Sequence, residues 1–184
     1  GFLDRPCRLV PSCLVLDVSM PGLNGLELQK RIASERPDMP IIFITGYGDV
    51  PITVQAMKAG AVEFLTKPIS DEALLKAIAN ALERSRAALD REGRMNALRE
   101  RYASLSRRER EVMTLVVAGL LNKQVGGELG ISEITVKAHR GSVMRKMEAA
   151  SLPDLVNMSA QLGLIASSDD GSAPARIRHR RPPP

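Results

Sequence analysis

Three residues of this sequence combine types and positions that could carry phosphoryl chemistry: Asp17, Thr45 and Lys67. Each closes a short apolar run. Residues 13–17 read Cys-Leu-Val-Leu-Asp, residues 41–45 read Ile-Ile-Phe-Ile-Thr, and residues 62–67 read Val-Glu-Phe-Leu-Thr-Lys. The first two are continuously apolar, as strands covered on both faces of a parallel sheet are. Ligands of an open parallel sheet bind at the carboxyl ends of its strands, so three adjacent strands would bring these side chains to one site. A carboxylate can attack a phosphoryl group as a nucleophile. A lysine ammonium and a hydroxyl can hold the transferred oxygens, which is mainly electrostatic work. Spacing alone leaves a plainer reading open, with Lys67 a surface residue and Thr45 a helix cap.

Helices must lie between those strands to position them. Residues 24–35 place Leu26, Ile32 and Ala33 at near-helical spacing. Residues 51–59 open with Pro51, suited to a first helical position, and stop before Gly60, suited to a C′ position. Strand and helix in alternation predict a parallel α/β domain. Ser70 is a good N-cap, with Asp71 and Glu72 complementing the dipole. Leu74, Leu75, Ile78 and Leu82 form the expected buried stripe. From Glu83 to Arg101 charge replaces the stripe, which predicts a solvated helical linker with Gly93 as a candidate break.

The rest reads as helices only. Ser106 to Glu109 fits a capping box ahead of Val112, Leu115 and Val116, with Gly119 as the stop. Asn122 is the expected cap of a short helix ending near Gly130. Ser132 caps a longer helix running to about Glu148. Ser151 opens a fourth, carrying Leu155, Met158 and Leu162. A short helix, a glycine turn and a longer basic helix outline a helix-turn-helix. Val136, Val143 and Met147 should face the core of that unit. Lys137, Ala138 and Gly141 would then approach base edges. Thr135, Arg140, Arg145 and Lys123 suit phosphates, and Asn122 could add a backbone contact. His139 falls between the two faces. Gly126, Gly127 and Gly141 sit inside helices, each at about 0.8–1.0 kcal/mol relative to Ala. The pair at 126 and 127 reads either as drift to small residues or as close helix approach.

Composition narrows the classes. The chain has 184 residues, 44% hydrophobic and 26% charged, which excludes a wholly disordered protein. It holds no run of eighteen apolar residues and shows no signal-peptide order. Cys7 and Cys13 have neither disulfide-framework nor zinc-site spacing and read as free cytosolic thiols. The net charge of +5 is unevenly spread. Residues 1–82 carry eight basic and nine acidic side chains, so the basic excess lies wholly in the later part, as a unit facing a polyanion requires. Residues 166–184 read as a disordered basic tail.

The stretches LVLDVSMPGLNGLEL, PIIFITGYGDVPITVQAMKAGAVEFLTKP and LSRREREVMTLVVAG…NKQV…LGISEITVKAHRGSVMRKM resemble two-component response regulators of the NarL/FixJ type, FixJ-like regulators above all. The resemblance spans nearly all of residues 1–165. It implies a CheY-like (flavodoxin-like) α/β receiver over residues 1–83, a helical linker over 84–104, and an all-α four-helix LuxR-type helix-turn-helix domain over 105–165. It implies a bacterial, cytoplasmic transcription factor rather than an enzyme. Its partners would be a sensor histidine kinase, double-stranded promoter DNA, a second copy in a homodimer, and RNA polymerase. Asp17 would be the phosphoacceptor, Lys67 the phosphoryl contact, and Thr45 with Phe64 the switch pair; Phe64 also reads as a plain core aromatic. Mg²⁺ would be the cofactor, held by Asp17 and the Ser19 backbone carbonyl.

One departure bears on that metal. Such receivers begin with a strand ending in an acidic pair, whereas only Asp4 precedes Asp17 here. The first strands of the receiver read as missing, which would leave the metal site incomplete and the Asp17 strand an edge. With Gly1 at the start, the sequence reads as truncated. The dimer surface would be either Leu65 to Ile78 or Leu155, Met158 and Leu162, the latter set also suiting the helical core. Two competitors stand beside the regulator: a constitutive DNA-binding protein with a silent receiver, and a phosphohydrolase of the haloacid-dehalogenase kind. The second requires an acid two residues after Asp17, where this chain has Ser19.

Overall fold

A computed structural model of the chain describes residues 10–20, 23–36, 38–46 and 50–164. Asp4, Cys7 and the expected tail at 166–184 lie outside them. The chain divides into two units, residues 1–94 and 95–184.

The first unit is built on a parallel sheet of β1 (Leu14–Asp17), β4 (Ile41–Thr45) and β5 (Glu63–Thr66), in the order β1-β4-β5. Register sets Asp17 beside Ile44 and Thr45 beside Thr66, so Asp17, Thr45 and Lys67 share one sheet end. Among the described residues β1 pairs with β4. A short antiparallel pair, β2 (Ser19–Met20) and β3 (Leu23–Asn24), follows Asp17 directly. The central strand carries Ile41, Ile42 and Phe43, all buried. Its two faces are covered by separate apolar clusters, which explains why the strand reads as continuously apolar.

One face is covered by α1 (Gly25–Glu35) and α2 (Val50–Lys58), through Ile32 and Ala56. Here the expected stripe needs correcting: Ala33 is exposed, and Gln29 is buried in its place, donating from Nε2 to the Ala56 carbonyl at 3.0 Å. The side chain of Leu26 lies outside the described set. Gly25 opens α1 hard against the strand end; a Cβ there would stand 3.1 Å from the Asp17 carbonyl oxygen. The other face is covered by α3 (Asp71–Ala103), through Ala77 and Ala81 with Ile78. Ser70 caps α3, accepting from the Ala73 N–H at 3.1 Å. Leu75, expected in the buried stripe, is instead 66% exposed, because small alanines make the closest approach to the sheet.

Helix α3 continues through Gly93 without a break. Its later part is more than a solvated linker: Met95, Leu98 and Tyr102 join the core of the second unit. That unit adds α4 (Arg107–Val117), α5 (Asn122–Leu129), α6 (Glu133–Met147) and α7 (Leu152–Gln161). The Ser106 capping box forms as expected, with the Glu109 carboxylate accepting from the Ser106 N–H at 2.7 Å. Ser132 and Ser151 cap α6 and α7. Asn122 does not cap α5: the cap is Leu121, whose N–H donates to Gln124 Oε1 at 2.8 Å. Leu155 is fully buried, and the partly buried Met158 and Leu162 pack against it, so all three join the helical core.

Candidate functional sites

At the sheet end of the first unit, Lys67 Nζ lies 2.7 Å from Asp17 Oδ2. The backbone completes the link, since the Lys67 N–H donates to the Thr45 carbonyl at 2.8 Å. Thr45 itself is 3% exposed, which argues against a simple surface cap. Phe64 sits partly buried on β5, its ring centroid 6.3 Å from that of Phe43, so it is in contact with the core whatever else it does. A half-exposed carboxylate against an ammonium, with a hydroxyl on the intervening strand, is an arrangement suited to accepting a phosphoryl group.

The described residues alone do not complete a Mg²⁺ site there. The ion requires near-octahedral oxygen ligation. Asp17 is engaged by Lys67, and the described residues contain no group of three or more His, Cys, Asp or Glu side chains that could hold a metal.

In the second unit α5 and α6 meet through a left-handed turn at Gly130, φ +64°. Gly126 makes the crossing close: a Cβ there would fall 2.8 Å from the Ile131 carbonyl oxygen. Gly127 and Gly141 have open space at the same position, so the two neighbouring glycines of α5 do different things. Val136, Val143 and Met147 are buried, and Thr135, Lys137, Ala138, Gly141 and Arg145 are exposed, as helical spacing predicts.

Several of those side chains already have partners. Lys137 Nζ is 3.2 Å from Glu133 Oε1. Thr135 Oγ1 is 2.8 Å from Ser132 Oγ within the cap. Arg140 is half-buried and donates to Asn122 Oδ1 at 3.2 Å, tying α6 to the first turn of α5. Lys123, next to it, is exposed. The far end of α6 is fixed by Lys146, whose Nζ donates to Glu109 Oε2 at 2.7 Å and to the Ser104 carbonyl at 3.3 Å. The Lys146 bond, with the Ser106 N–H after it, holds the Glu109 carboxyl below the usual carboxylate range against the opposing effect of burial. The sequence reading misses Lys146, for which nothing local signals a partner 37 residues away. It also passes over Ile134, which helical spacing from Ala138 and Gly141 could have included.

A parallel sheet with an acid, a hydroxyl and a lysine at one end, and a helix-turn-helix with a basic outer face, define a phosphorylation-controlled DNA-binding protein as a class. Comparison with known proteins agrees. The family model for the response regulator receiver domain matches residues 2–79, and that for bacterial regulatory proteins of the luxR family matches residues 103–159. Nodulation protein W of Bradyrhizobium diazoefficiens is 53% identical over 158 residues, covering 86% of this chain and 70% of that protein. The transcriptional regulatory protein FixJ of Azorhizobium caulinodans is 45% identical over 172 residues, covering 94% and 81%. The solved structure of the response regulator StyR superposes with a TM-score of 0.71 at 46% identity, covering 81% of this chain and 75% of that one. The chain belongs to the FixJ-like response regulators of two-component systems, which join a receiver to a LuxR-type DNA-binding domain. It is a transcriptional regulator and not an enzyme, and its class of partners is a histidine kinase and promoter DNA.

Proposed function

We infer that Asp17 is the residue on which this regulator accepts its phosphoryl group. The observation that carries the reading is the 2.7 Å pairing of Lys67 Nζ with Asp17 Oδ2 beside buried Thr45. An Asp17 carboxylate oxygen forms the new bond to phosphorus, and the bond to the donor breaks with its electron pair leaving on the donor. The Lys67 ammonium then has a phosphoryl oxygen to bind, and the Thr45 hydroxyl is the nearby donor on the central strand. Phe64, packed on Phe43, is placed to follow any movement of that strand end. Residues 84–104 form the helical connection between the receiver and DNA-binding units.

On the DNA side, α6 enters the major groove with Lys137, Ala138 and Gly141 toward base edges. Thr135, Arg145, Lys123, and Arg140 held by Asn122, engage phosphates. The regulator works in the cytoplasm as a homodimer on half-sites about 34 Å apart or a multiple of it. Exposed Leu75 lies in the 65–78 segment proposed to pair the copies. RNA polymerase is the downstream partner of the bound dimer.

The test is phosphate incorporation from acetyl phosphate, with and without Mg²⁺, read by intact mass. An adduct lost in Asp17→Asn supports the reading. No adduct on a chain that still binds DNA, with Asp17→Asn indistinguishable, would favour a second one: constitutive binding with a silent receiver. That reading draws on the metal site being incomplete among the described residues.

A further inference from the structure

The outward face of α6 contains one large apolar side chain. Ile134 is 80% exposed, more than any other large hydrophobic residue in the described chain. Ile134, Ala138, Gly141 and Arg145 follow one another at i, i+4, i+7 and i+11, so they form a single line along the helix. That line stands opposite buried Val136, Val143 and Met147. Ile134 is the second residue of the helix after the Ser132 cap, in the N-terminal part that such helices present to base edges. Behind it the line is almost bare: Ala138 carries one methyl, and the space around a Cβ at Gly141 is empty. A β-branched residue lowers helix propensity and here makes no compensating core contact. The solvent-facing line is thus shaped to bring a base-pair edge close to the helix, with one apolar contact at its leading end.

Of the groups a base pair presents in the major groove, the thymine C5-methyl is the apolar one. We propose that Ile134 is a specificity-determining residue of this regulator, packing against a thymine methyl in each half-site. The proposal rests on the reading that this face of α6 enters the major groove.

The experiment begins by selecting binding sites from random duplexes with the full chain. Each thymine that selection fixes is then replaced by deoxyuridine, which removes only the methyl. Burying a methyl is worth about fourfold in affinity. The wild type should therefore lose about fourfold at one thymine per half-site. Ile134→Ser should bind the thymine and deoxyuridine sites equally, while the conservative Ile134→Val keeps the discrimination. Because Ile134 is exposed, Ile134→Ser should melt with the wild type. A wild type indifferent to every deoxyuridine substitution overturns the proposal, as does an Ile134→Ser variant that still discriminates. Lys137→Ala and Arg145→Ala separate the two levels. If they weaken binding while the methyl effect is absent, only the role of Ile134 falls. If neither weakens binding, the groove reading falls and takes the proposal with it.

Discussion

Lys67 reaches across the sheet to place its Nζ 2.7 Å from Asp17 Oδ2, fifty residues earlier in the chain. The strands that bring them together are not neighbours, since β4 lies between β1 and β5. The pair is open to water, with the Lys67 side chain 51% and the Asp17 side chain 33% exposed. An exposed ion pair is worth about 0–1 kcal/mol, too little to explain it as a stability device. The phosphoryl-binding role proposed for Lys67 would account for it instead.

Lys67→Ala should accordingly leave the melting temperature within a few degrees of wild type. It should slow phosphate incorporation by about 100–1,000-fold, in the range found when one preorganised donor is removed. Time-resolved intact mass with acetyl phosphate reads the rate, and thermal melts read the stability. A large loss of stability with an unchanged rate would make the pair structural.

A second pair fixes α6. Glu109 accepts from the Ser106 N–H and from Lys146, so the start of α4 and the end of α6 share one carboxylate. Its folded pKa is lowered from an ordinary 4.5, first by the Lys146 bond. A lowered acid contributes stability that is full above its unfolded value and is lost as pH falls through its folded value. The stability gap between wild type and Glu109→Gln should therefore be constant above about pH 5 and shrink in more acid solution. At neutral pH we expect a gap of about 1.5–3 kcal/mol, the cost of losing a charged hydrogen bond. Denaturant melts across pH measure both.

These two pairs mark what could and could not be read from the sequence. Asp17, Thr45 and Lys67 were legible because strands of a parallel sheet end on one side, so three strand-end residues need only a topology to converge. The caps at Ser70, Ser106, Ser132 and Ser151 were legible because each contact spans three residues. Asn122 was misread: its amide is used by Arg140 on another helix, and Gln124 satisfies the start of α5 instead. The apolar pattern puts Leu75 and Ala33 inside, because it counts apolar residues and cannot see that Ala77, Ala81 and Gln29 fill the contact. Lys146 to Glu109 was invisible, as any ion pair between distant helices is until the helices are packed.

The Asn122 contact makes a distinct prediction. Its Oδ1 holds Arg140 at 3.2 Å, so the guanidinium is ordered before DNA arrives. Ordering a long side chain costs about 0.5–1.5 kcal/mol, and Asn122→Ala should therefore weaken binding about two- to tenfold. The loss should be uniform across sequences, because phosphates are the same everywhere. The slope of affinity against salt should not change, since no charge is removed. Arg140→Ala should lower that slope by about 0.9 instead. Binding titrations at several salt concentrations distinguish the two variants.

The three helical glycines of the DNA-binding unit should respond differently to one substitution. At Gly126 an added Cβ would stand 2.8 Å from the Ile131 carbonyl oxygen, a backbone atom that cannot swing aside. That same carbonyl leads into the Ser132 cap, so any shift moves the start of α6. Gly126→Ala should destabilise the unit by about 1–3 kcal/mol, the usual cost of overpacking, and weaken DNA binding with it. Gly127 and Gly141 meet nothing within 4 Å. Ala there relieves the helix penalty of glycine and should stabilise by about 0.8–1.0 kcal/mol each. Gly127→Ala should leave DNA binding unchanged. Gly141→Ala, on the line of Ile134 and Ala138, should raise the melting temperature yet alter which sites are bound, because the new methyl enters the space that a base edge would occupy. Melting curves and site selection on the three variants decide it. A stabilised Gly126→Ala would show that the helix crossing is looser than the 2.8 Å approach implies.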